Sequence, residues 1–405
     1  MTEIGEIPEE WEVSEIGRYI ENISKKNKDL NIQHVVSVTK YNGIVDSLEY
    51  FDKQVFSKDI SNYKIIKKDE FAYSTIHLNE GAIGYLKHCE NAVLSPMYTV
   101  FKVRNDLVNN YFLYNLLKSN KYINIYEMLG EGSVDRRSSI PFNKFKEIKV
   151  AMPPIEEQEK ISSILSTVDE QIDNIDALIE KNKELKKGLM QTLLTKGIGH
   201  TKFKKSDIGE IPEAWEVVKL GEVCDFKQGF QIPRSEQILE CKEGYIRYLY
   251  ITDFFSDNNK LFIKESRKYY YIEPRDIAIA NTGNTCGKAF RGATGVLSNN
   301  MFKIFNDKNR ISDNYLWSYL NSDYYWNELS KYFNTAGQPH VGHKNMSQLK
   351  IAIPNKLIEQ EKIASILSEV DKKIEEYENK KQKLEELKKG LMQQLLTGKI
   401  RVINY

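Results

Sequence analysis

Two long stretches of the chain carry apolar residues at helical spacing among polar and charged positions. In the first, the apolar positions advance in steps of four and three through Ile161, Leu165, Val168, Ile172, Ile175 and Ile179. In the second, the same steps run through Ile363, Leu367, Val370, Ile374 and Tyr377. Alternating steps of four and three are the spacing of a coiled-coil seam. Each stretch therefore predicts a helix with one narrow apolar stripe.

Both seams break at the same relative place. Asn182 interrupts the first seam and Lys381 interrupts the second. The apolar positions then resume on a shifted stripe, which consists of Leu185, Leu189 and Leu193 in one helix and Leu387, Leu391 and Leu395 in the other. A shared break indicates a shared change of register. Each predicted helix spans about 40 residues, or about 60 Å at ~1.5 Å per residue.

The helices belong to a duplication of half the chain. Three blocks recur with offsets of 202 to 204 residues, identical at nine of ten, twelve of seventeen and eleven of fourteen positions: residues 4–13 and 208–217, residues 156–172 and 358–374, and residues 185–198 and 387–400. Between the blocks, residues 14–150 and 218–350 share only a loose plan of β-rich runs and one aromatic helical stretch. We therefore predict an α+β fold with a pseudo-twofold internal repeat, in which two unlike globular domains are joined by two long antiparallel coiled-coil helices. The predicted boundaries are 1–152, 153–200, 201–354 and 355–405.

A narrow apolar stripe requires a partner, and the nearest candidate for each helix is its own copy. We expect the seam through Ile161 and Leu165 to face Ile363 and Leu367 or their neighbours in antiparallel order, with one domain at each end. The remaining faces, identical at Gln158 and Gln360 and at Lys160 and Lys362, then form a candidate docking surface. Two alternatives stay open: both helices lie in the core of one larger fold, or each pairs with a second chain.

Composition excludes several classes of protein. The 405 residues carry a net charge of +1, and no segment is strongly basic, so charge alone does not nominate a nucleic-acid-binding protein. No apolar run approaches the ~18 residues of a membrane span, and the acidic N-terminus lacks the apolar core of an export signal. Four cysteines without a CxxC pair do not make a disulfide framework. We expect a cytoplasmic protein.

Motifs for catalysis are not evident in the sequence. The segment GNTCGKA at 283–289 has three residues between its glycines and Ala289 after the lysine, so it does not match a phosphate-binding loop. His340 and His343 have no second ligand pair that would complete a zinc site. Asp135 and Glu147 resemble a nuclease carboxylate set only superficially. These features favour a binding protein over an enzyme.

Taken together, the repeated motifs resemble those of the specificity subunits of type I restriction–modification systems. The motifs are IPxxWEV, EQEKI after a β run, and LKKGLMQxLLT at the end of each helix, and the resemblance covers essentially the whole chain. It implies a non-catalytic subunit with two target-recognition domains, each reading one half of a bipartite, asymmetric double-stranded DNA site. It also implies that the helices fix the spacer and dock two modification subunits, and that restriction subunits join the complex. S-adenosylmethionine, ATP and Mg would act in those partners, with no cofactor in this chain.

Candidate DNA contacts follow from side-chain chemistry in loops that match the family plan. Arg suits guanine, Asn and Gln suit adenine, and Lys, Arg and hydroxyl groups suit phosphates. In the second domain the candidates are Lys227, Gln228, Phe230, Gln231, Arg234, Asn281, Thr282, Asn284, Thr285, Gln338, His340 and His343. In the first domain they are Lys25, Lys26, Asn27, Lys28, Tyr73, Ser74, Thr75, His77, Arg136, Arg137 and Ser138. The first domain departs from the family plan, because its segment ENISKKNKDL lacks a Gly-Phe step and Val134-Asp135 stands where the second domain has Gln338-Pro339.

The main rival hypothesis is a coiled-coil adaptor whose end domains bind other proteins. A stand-alone nuclease is a third hypothesis, and it predicts metal-dependent cleavage by the purified chain.

Overall fold

The computed structural model describes residues 6–104, 106–130, 139–256, 258, 260–333 and 339–402. The chain divides into two compact units. Unit 1 comprises Met1–Asp176 together with Asn379–Tyr405, and unit 2 comprises Ala177–Glu378. Each long helix therefore contributes one half to each unit.

Unit 1 is built from short strands and helices. The strands are β1 (Glu12–Glu15), β2 (Ile20–Ile23), β3 (Val36–Thr39), β4 (Gly43–Asp46), β5 (Lys64–Lys67), β6 (Phe71–Ser74), β7 (Ile83–Tyr85), β8 (Asn91–Leu94), β9 (Tyr98–Val103) and β10 (Lys149–Met152). The helices are α1 (Ser47–Phe51), α2 (Asn110–Leu117), α3 (Asn120–Gly130), α4 (Phe142–Phe145) and the first part of α5 (Ile155–Lys196). A four-stranded antiparallel sheet in the order β2-β9-β6-β7 packs its aromatic residues against α2 and α3 in one core.

Unit 2 repeats this plan with different contents. Its strands are β11 (Phe203–Ser206), β12 (Gly209–Pro212), β13 (Trp215–Lys219), β14 (Cys224–Gln228), β15 (Tyr245–Leu249), β16 (Leu261–Lys264), β17 (Ile277–Ala280), β18 (Ala289–Phe290), β19 (Val296–Leu297), β20 (Met301–Asn306) and β21 (Lys350–Pro354). Its helices are α6 (Leu220–Val223), α7 (Asp313–Leu320), α8 (Asp323–Ser330), α9 (His343–Gln348) and the first part of α10 (Leu357–Leu395). The order β14-β20-β17-β18 matches the four-stranded sheet of unit 1, so the α+β prediction is confirmed.

The repeated IPxxWEV motif forms the strand that closes each unit. In unit 1, β1 pairs antiparallel with β10, with Val13 opposite Ala151. In unit 2, β13 pairs antiparallel with β21, with Val217 opposite Ala352. Because β10 and β21 lead directly into α5 and α10, this pairing fixes where each long helix leaves its unit.

The two long helices run as predicted, and they are antiparallel. They contain 42 and 39 residues. In unit 1, Lys388 Nζ lies 2.6 Å from Asp169 Oδ1, and Lys381 Nζ lies 2.6 Å from Asp176 Oδ1. The residue number rises along α5 while that of its partner falls along α10, which defines the antiparallel order.

Unit 2 contains the equivalent ion pair of the repeat. Lys186 Nζ lies 2.6 Å from Asp371 Oδ1. Lys186 and Lys388 differ by 202 residues, as do Asp169 and Asp371, so the two ion pairs are related by the duplication. The internal repeat is therefore preserved in the pairing of side chains as well as in the sequence.

The prediction of which stripes face each other was wrong. Ile161 and Leu165 share the core of unit 1 with Leu395 and Leu396, near the end of α10. The amino-terminal seam of one helix thus packs with the carboxyl-terminal end of the other, whereas Leu185 and Leu387, the first residues of the predicted shifted stripes, are half exposed.

The same correction applies in unit 2. There, Ile363 and Leu367 share a core with Met190, Leu193 and Leu194. All of the predicted seam residues avoid full exposure, and most are buried: Val168, Ile175, Ile179 and Val370 are at least nine-tenths buried, while Ile172, Ile374 and Tyr377 are partly buried. Full burial of each Ile or Leu contributes about 2 kcal/mol.

Gln158 and Gln360 do not belong to a docking surface, contrary to our expectation. Gln158 Nε2 donates to the carbonyl oxygens of Leu107 and Pro153, and its Oε1 accepts from the backbone N–H of Asn109. Gln360 is also buried and bonded at all three positions, to Arg310, Pro354 and Ser312. Each glutamine ties the start of a long helix to the start of α2 or α7, and its conservation between the copies has a structural reason.

A glutamate, buried in unit 1 and partly buried in unit 2, secures the helix pair at each end. Glu157 accepts from Trp11 Nε1 at 3.0 Å and from Arg401 Nε at 2.8 Å. In unit 2, Glu359 accepts from Trp215 Nε1 at 3.3 Å and lies 2.7 Å from His200 Nε2. The repeated Trp and Glu thus bind the carboxyl-terminal end of one helix to the amino-terminal end of the other.

Candidate nucleic-acid interface

The predicted contact residues of unit 2 converge at one edge of its four-stranded sheet. After β17, Thr282 forms a β-bridge with His340, and Gly283 N–H donates to the carbonyl oxygen of Pro339 at 3.2 Å. After β14, Phe230 forms a β-bridge with Ser298. Three stretches that are far apart in the sequence therefore lie side by side.

The turn between β19 and β20 joins these stretches, and it was missed in the sequence. Asn281 N–H donates to the carbonyl oxygen of Asn300 at 3.0 Å, and Gln228 Nε2 donates to the carbonyl oxygens of Asn299 and Met301. Both Asn299 and Asn300 are exposed. An exposed Asn pair at this place offers the donor and acceptor that suit adenine.

Most of the predicted contact residues of unit 2 have accessible polar or basic side chains. Lys227, Gln228, Gln231, Arg234, Asn284 and His340 are exposed, and Thr282 and Thr285 are partly exposed. Phe230 packs against the rings of Tyr269 and Tyr270, so it supports the loop. Gln338 lies outside the described residues.

Two of the candidates in unit 2 are held inside the edge. Asn281 is 5% exposed, and its Oδ1 has no hydrogen-bond partner. His343 packs its ring against Phe302, 4.9 Å between ring centroids, and burial lowers the pKa of this histidine. A neutral, packed imidazole suits a supporting role better than a phosphate contact.

Unit 1 has an equivalent edge around the turn between β8 and β9. The Ile140 N–H donates to the carbonyl oxygen of Thr75 at 2.8 Å, as Val341 does to that of Asn281 at 3.0 Å in unit 2. Thr75 Oγ1 donates to the carbonyl oxygen of Met97 at 3.5 Å. Met97 is 61% exposed at the tip of the turn.

Lysines flank this edge of unit 1. Lys26 forms a β-bridge with Lys64, whose Nζ donates to the carbonyl oxygen of Tyr98 at 2.6 Å. Lys25, Lys26 and Lys28 are exposed. Burial, together with the nearby charge of Lys26, lowers the pKa of Lys64. The edge therefore combines a basic flank with an apolar tip.

Three candidates of unit 1 are structural rather than exposed. Tyr73 is fully buried, and its hydroxyl donates to the carbonyl oxygen of Ile140 at 3.1 Å. Asn27 is 2% exposed, and its side chain bonds the backbone of Ile32. Ser74 is also buried.

The other candidates of unit 1 differ in accessibility. Thr75 is partly exposed, and His77 is exposed with its Nδ1 2.8 Å from Glu80 Oε1. Arg136, Arg137 and Ser138 lie outside the described residues.

One feature of the sequence points to the turns between β8 and β9 and between β19 and β20, which our sequence analysis did not select. Residues 94–95 and 297–298 are both Leu-Ser, and the next two residues diverge, as Pro96-Met97 and Asn299-Asn300. A shared anchor followed by a divergent exposed tip is the pattern expected where two related domains read different targets.

Within the described part of the chain, no group of three or more His, Cys, Asp or Glu side chains could hold a metal ion. A search of the helices in that same part finds none that is both long enough and apolar enough to cross a membrane.

Comparison with known proteins identifies the class of this molecule. The family model of the type I restriction modification DNA specificity domain matches the chain twice, at residues 8–186 and 212–386. This chain belongs to the family of type I restriction–modification specificity subunits. Its two matches cover the two halves of the repeat, so it carries two target-recognition domains.

Relatives and solved structures agree with this assignment. The chain is 31% identical to the type I restriction enzyme MjaVIII specificity subunit of Methanocaldococcus jannaschii, over 98% of this chain and 95% of the relative. It is 32% identical to the MjaX specificity subunit of the same organism, over 99% and 96%. An S subunit from M. genitalium has the same fold, with a TM-score of 0.58, 17% identity and coverage of 98% of this chain and 99% of that one. A chain from a structure on the complex assembly and conformational transition of the type I R-M system has a TM-score of 0.57 and 16% identity. The match covers 98% of this chain and 100% of that one.

The family assignment decides between the rival hypotheses. It matches a specificity subunit, and it does not match a coiled-coil adaptor for other proteins.

Proposed function

We propose that each recognition edge of this specificity subunit reads one half of a bipartite, asymmetric double-stranded DNA site. The observation that carries this proposal is the pairing of an equivalent framework with unlike tips, Pro96-Met97 in unit 1 and Asn299-Asn300 in unit 2. Methionine offers an apolar contact for a thymine methyl group, whereas Asn offers paired hydrogen bonds to adenine. Two unlike edges read two unlike half-sites.

The chain acts without chemistry of its own in this proposal. The modification subunits methylate adenines with S-adenosylmethionine, and the restriction subunits cleave DNA with ATP and Mg. The long helices fix the distance between half-sites, because half-site spacing follows protein geometry.

Two equivalent surfaces on the helices support docking of two modification subunits. Leu185 and Leu387, related by the repeat, are 51% and 50% exposed. Gly188 and Gly390 follow within one turn, and a Cβ at either position would meet nothing within 4 Å. A glycine inside a helix costs about 1 kcal/mol relative to alanine, and neither glycine makes room for another part of this chain. Close approach of a partner backbone would give both glycines a role. Lys362 is exposed and Lys160 is partly exposed on the same helices, so they stay candidates for this surface.

Recognition is tested by mutating one edge alone. We expect Asn299→Ala with Asn300→Ala to relax base preference in one half-site and to leave the other unchanged. The measurement is sequencing of methylated DNA recovered from a randomised library after incubation with the complete modification complex. The matched change at the other tip, Met97→Ala, is expected to affect the opposite half-site. Unaltered preference in both variants would contradict the proposal.

Docking is tested by placing charge on the two exposed leucines. Leu185→Glu with Leu387→Glu is expected to abolish co-purification of both modification subunits, since a carboxylate buried in an apolar contact is costly. Each single variant is expected to lose one copy, measured by native mass spectrometry. Full retention of two copies by the double variant would contradict this surface.

A further inference from the structure

Each unit contains a cleft beside a long helix, and the two clefts are related by the repeat. The unit 1 cleft, about 560 Å³, lies between the α2–α3 junction (residues 118–121) and the helix wall formed by Lys388, Lys389, Met392 and Gln393. The unit 2 cleft, about 470 Å³, lies between the α7–α8 junction (residues 321–324) and the helix wall formed by Lys186, Lys187, Met190 and Gln191. These four wall residues are identical between the two clefts, whereas the repeat-related pair one turn earlier differs, with Glu385 in unit 1 and Lys183 in unit 2.

Positive charge predominates in the unit 1 cleft. Lys118, Lys121 and Lys399 line it together with Lys388 and Lys389, against the single carboxylate of Glu385. Within the described part of the chain, the acceptors for Lys118 Nζ are the backbone carbonyl oxygens of Lys40 and Tyr41. Burial lowers the pKa of Lys118 to about 8, and the charge of Lys388 adds to this effect. Like charges are thus crowded into a concave site.

One lysine of each helix wall is engaged and the next is not. Lys388 and Lys186 form the ion pairs with Asp169 and Asp371 that hold the helices together. Within the described residues, the neighbouring Lys389 and Lys187 have no carboxylate within ion-pair distance, and both are exposed. Lys389 and Lys187 are therefore exposed, repeat-related lysines that are available to a carboxylate of a partner protein.

Apolar groups contribute to both clefts, but unequally. Met392, Leu396 and Tyr114 line the unit 1 cleft, whereas the unit 2 cleft is mostly polar, with Met190 and the ring of Tyr324 as its apolar parts. Methionine adapts its shape to varied apolar partners. A DNA phosphate makes no favourable contact with these apolar groups. An acidic protein segment with one apolar side chain contacts both the apolar groups and the lysines.

We propose that each cleft binds an acidic segment of one modification subunit, with an Asp or Glu against Lys389 or Lys187 and an apolar side chain against Met392 or Met190. This inference rests on the proposed docking of two modification subunits, and it names the chemistry of a second contact for each. The identical walls give both copies of the partner the same contact. The junctions differ, because unit 1 contributes Lys118 and Lys121 whereas unit 2 contributes Asn321, Tyr324 and the carboxylate of Asp323. The unit 1 contact therefore depends more on charge.

Charge reversal in the full-length chain tests the inference. Lys389→Glu is expected to weaken binding of one modification subunit about tenfold, and Lys187→Glu the other, by isothermal titration calorimetry with purified modification subunit. The double variant is expected to weaken both. The matched control is Lys181→Glu with Lys383→Glu, which makes the same charge change at exposed, repeat-related positions of the same helices outside the clefts. The helical signal in the circular dichroism spectrum is expected to be unchanged in all variants.

Cross-linking gives an independent measurement. A zero-length carbodiimide reagent is expected to join Lys389 and Lys187 to Asp or Glu residues of the modification subunit in the wild-type complex. Wild-type affinity of the double variant, or cross-links absent from both lysines, would overturn the inference. Loss of DNA affinity without loss of partner affinity would also overturn it and would assign the clefts to phosphate.

A different result would contradict the proposed docking of modification subunits. If the wild-type chain binds no modification subunit, the proposed function is wrong. If Leu185→Glu with Leu387→Glu loses the partners while the lysine variants do not, docking stands and only the clefts are excluded.

Discussion

At the scale of single residues, identity between the two copies has two different physical causes. Gln158 and Gln360 are identical because each satisfies three backbone groups in the interior. Leu185 and Leu387 are identical although both are half exposed. The extent of burial distinguishes a residue that is identical for structural reasons from a candidate docking residue. The sequence alone does not make this distinction.

The glutamines make a direct prediction of stability. Gln158→Ala or Gln360→Ala leaves one backbone N–H and two carbonyl oxygens, each buried or partly buried, without these partners, so we expect the free energy of unfolding of that unit to fall by about 2–3 kcal/mol. Urea denaturation followed by circular dichroism measures the loss. Lys362→Ala, at an exposed position of the same helix, is the control and is expected to change stability by less than about 0.5 kcal/mol. Equal effects of the glutamine and lysine variants would contradict the structural role.

The recognition residues show what side-chain chemistry can and cannot predict. Lys25, Lys227 and Gln228 were selected by polarity and are exposed. Tyr73 was selected by the same criterion, yet it lies in the core, because β6 is an inner strand of the sheet and all four of its residues are buried. Met97, which we propose as a DNA contact, was not selected, because an apolar residue becomes a candidate only when it is seen exposed at the tip of a turn.

At the scale of elements, periodicity predicted the long helices, and pairing of the duplicated copies within one chain predicted their antiparallel order. It did not predict which stripes meet. A heptad pattern defines an apolar face, but antiparallel pairing brings the start of one helix to the end of the other. Ile161 therefore meets the stripe that ends at Leu395 rather than the seam around Ile363. The shift of register at Asn182 and Lys381 separates the two stripes of each helix.

The helices make a prediction about the spacer. Four residues added to each helix at the boundary between the units, after Asp176 and after Glu378, lengthen the pair by about 6 Å. We expect the spacer to grow by about two base pairs, at ~3.4 Å per base pair, with both half-site sequences kept. Sequencing of methylated sites gives the spacer directly. A changed half-site, or an unchanged spacer, would count against a helical ruler.

At the scale of the whole molecule, the duplication explains why net charge is not informative. The proposed recognition edges are small parts of two units, and the net charge of the whole chain is +1. The candidate contact residues therefore emerge only where the fold brings three distant segments together around a turn, as it does with Thr75, Met97 and Ile140 in unit 1. Sequence motifs predicted the family and the fold, because they encode the framework. They could not predict the edges, because those depend on tertiary proximity.

The most direct test of the account exchanges one recognition domain. Residues 14–150 are replaced by the corresponding segment of a related specificity subunit, and methylated adenines are mapped in DNA from cells that also carry the modification subunit. We predict that one half-site changes to that of the donor, while the other half-site and the spacer keep their original sequence and length. A change in both half-sites, or in neither, would contradict the claim that each unit reads one half of the site.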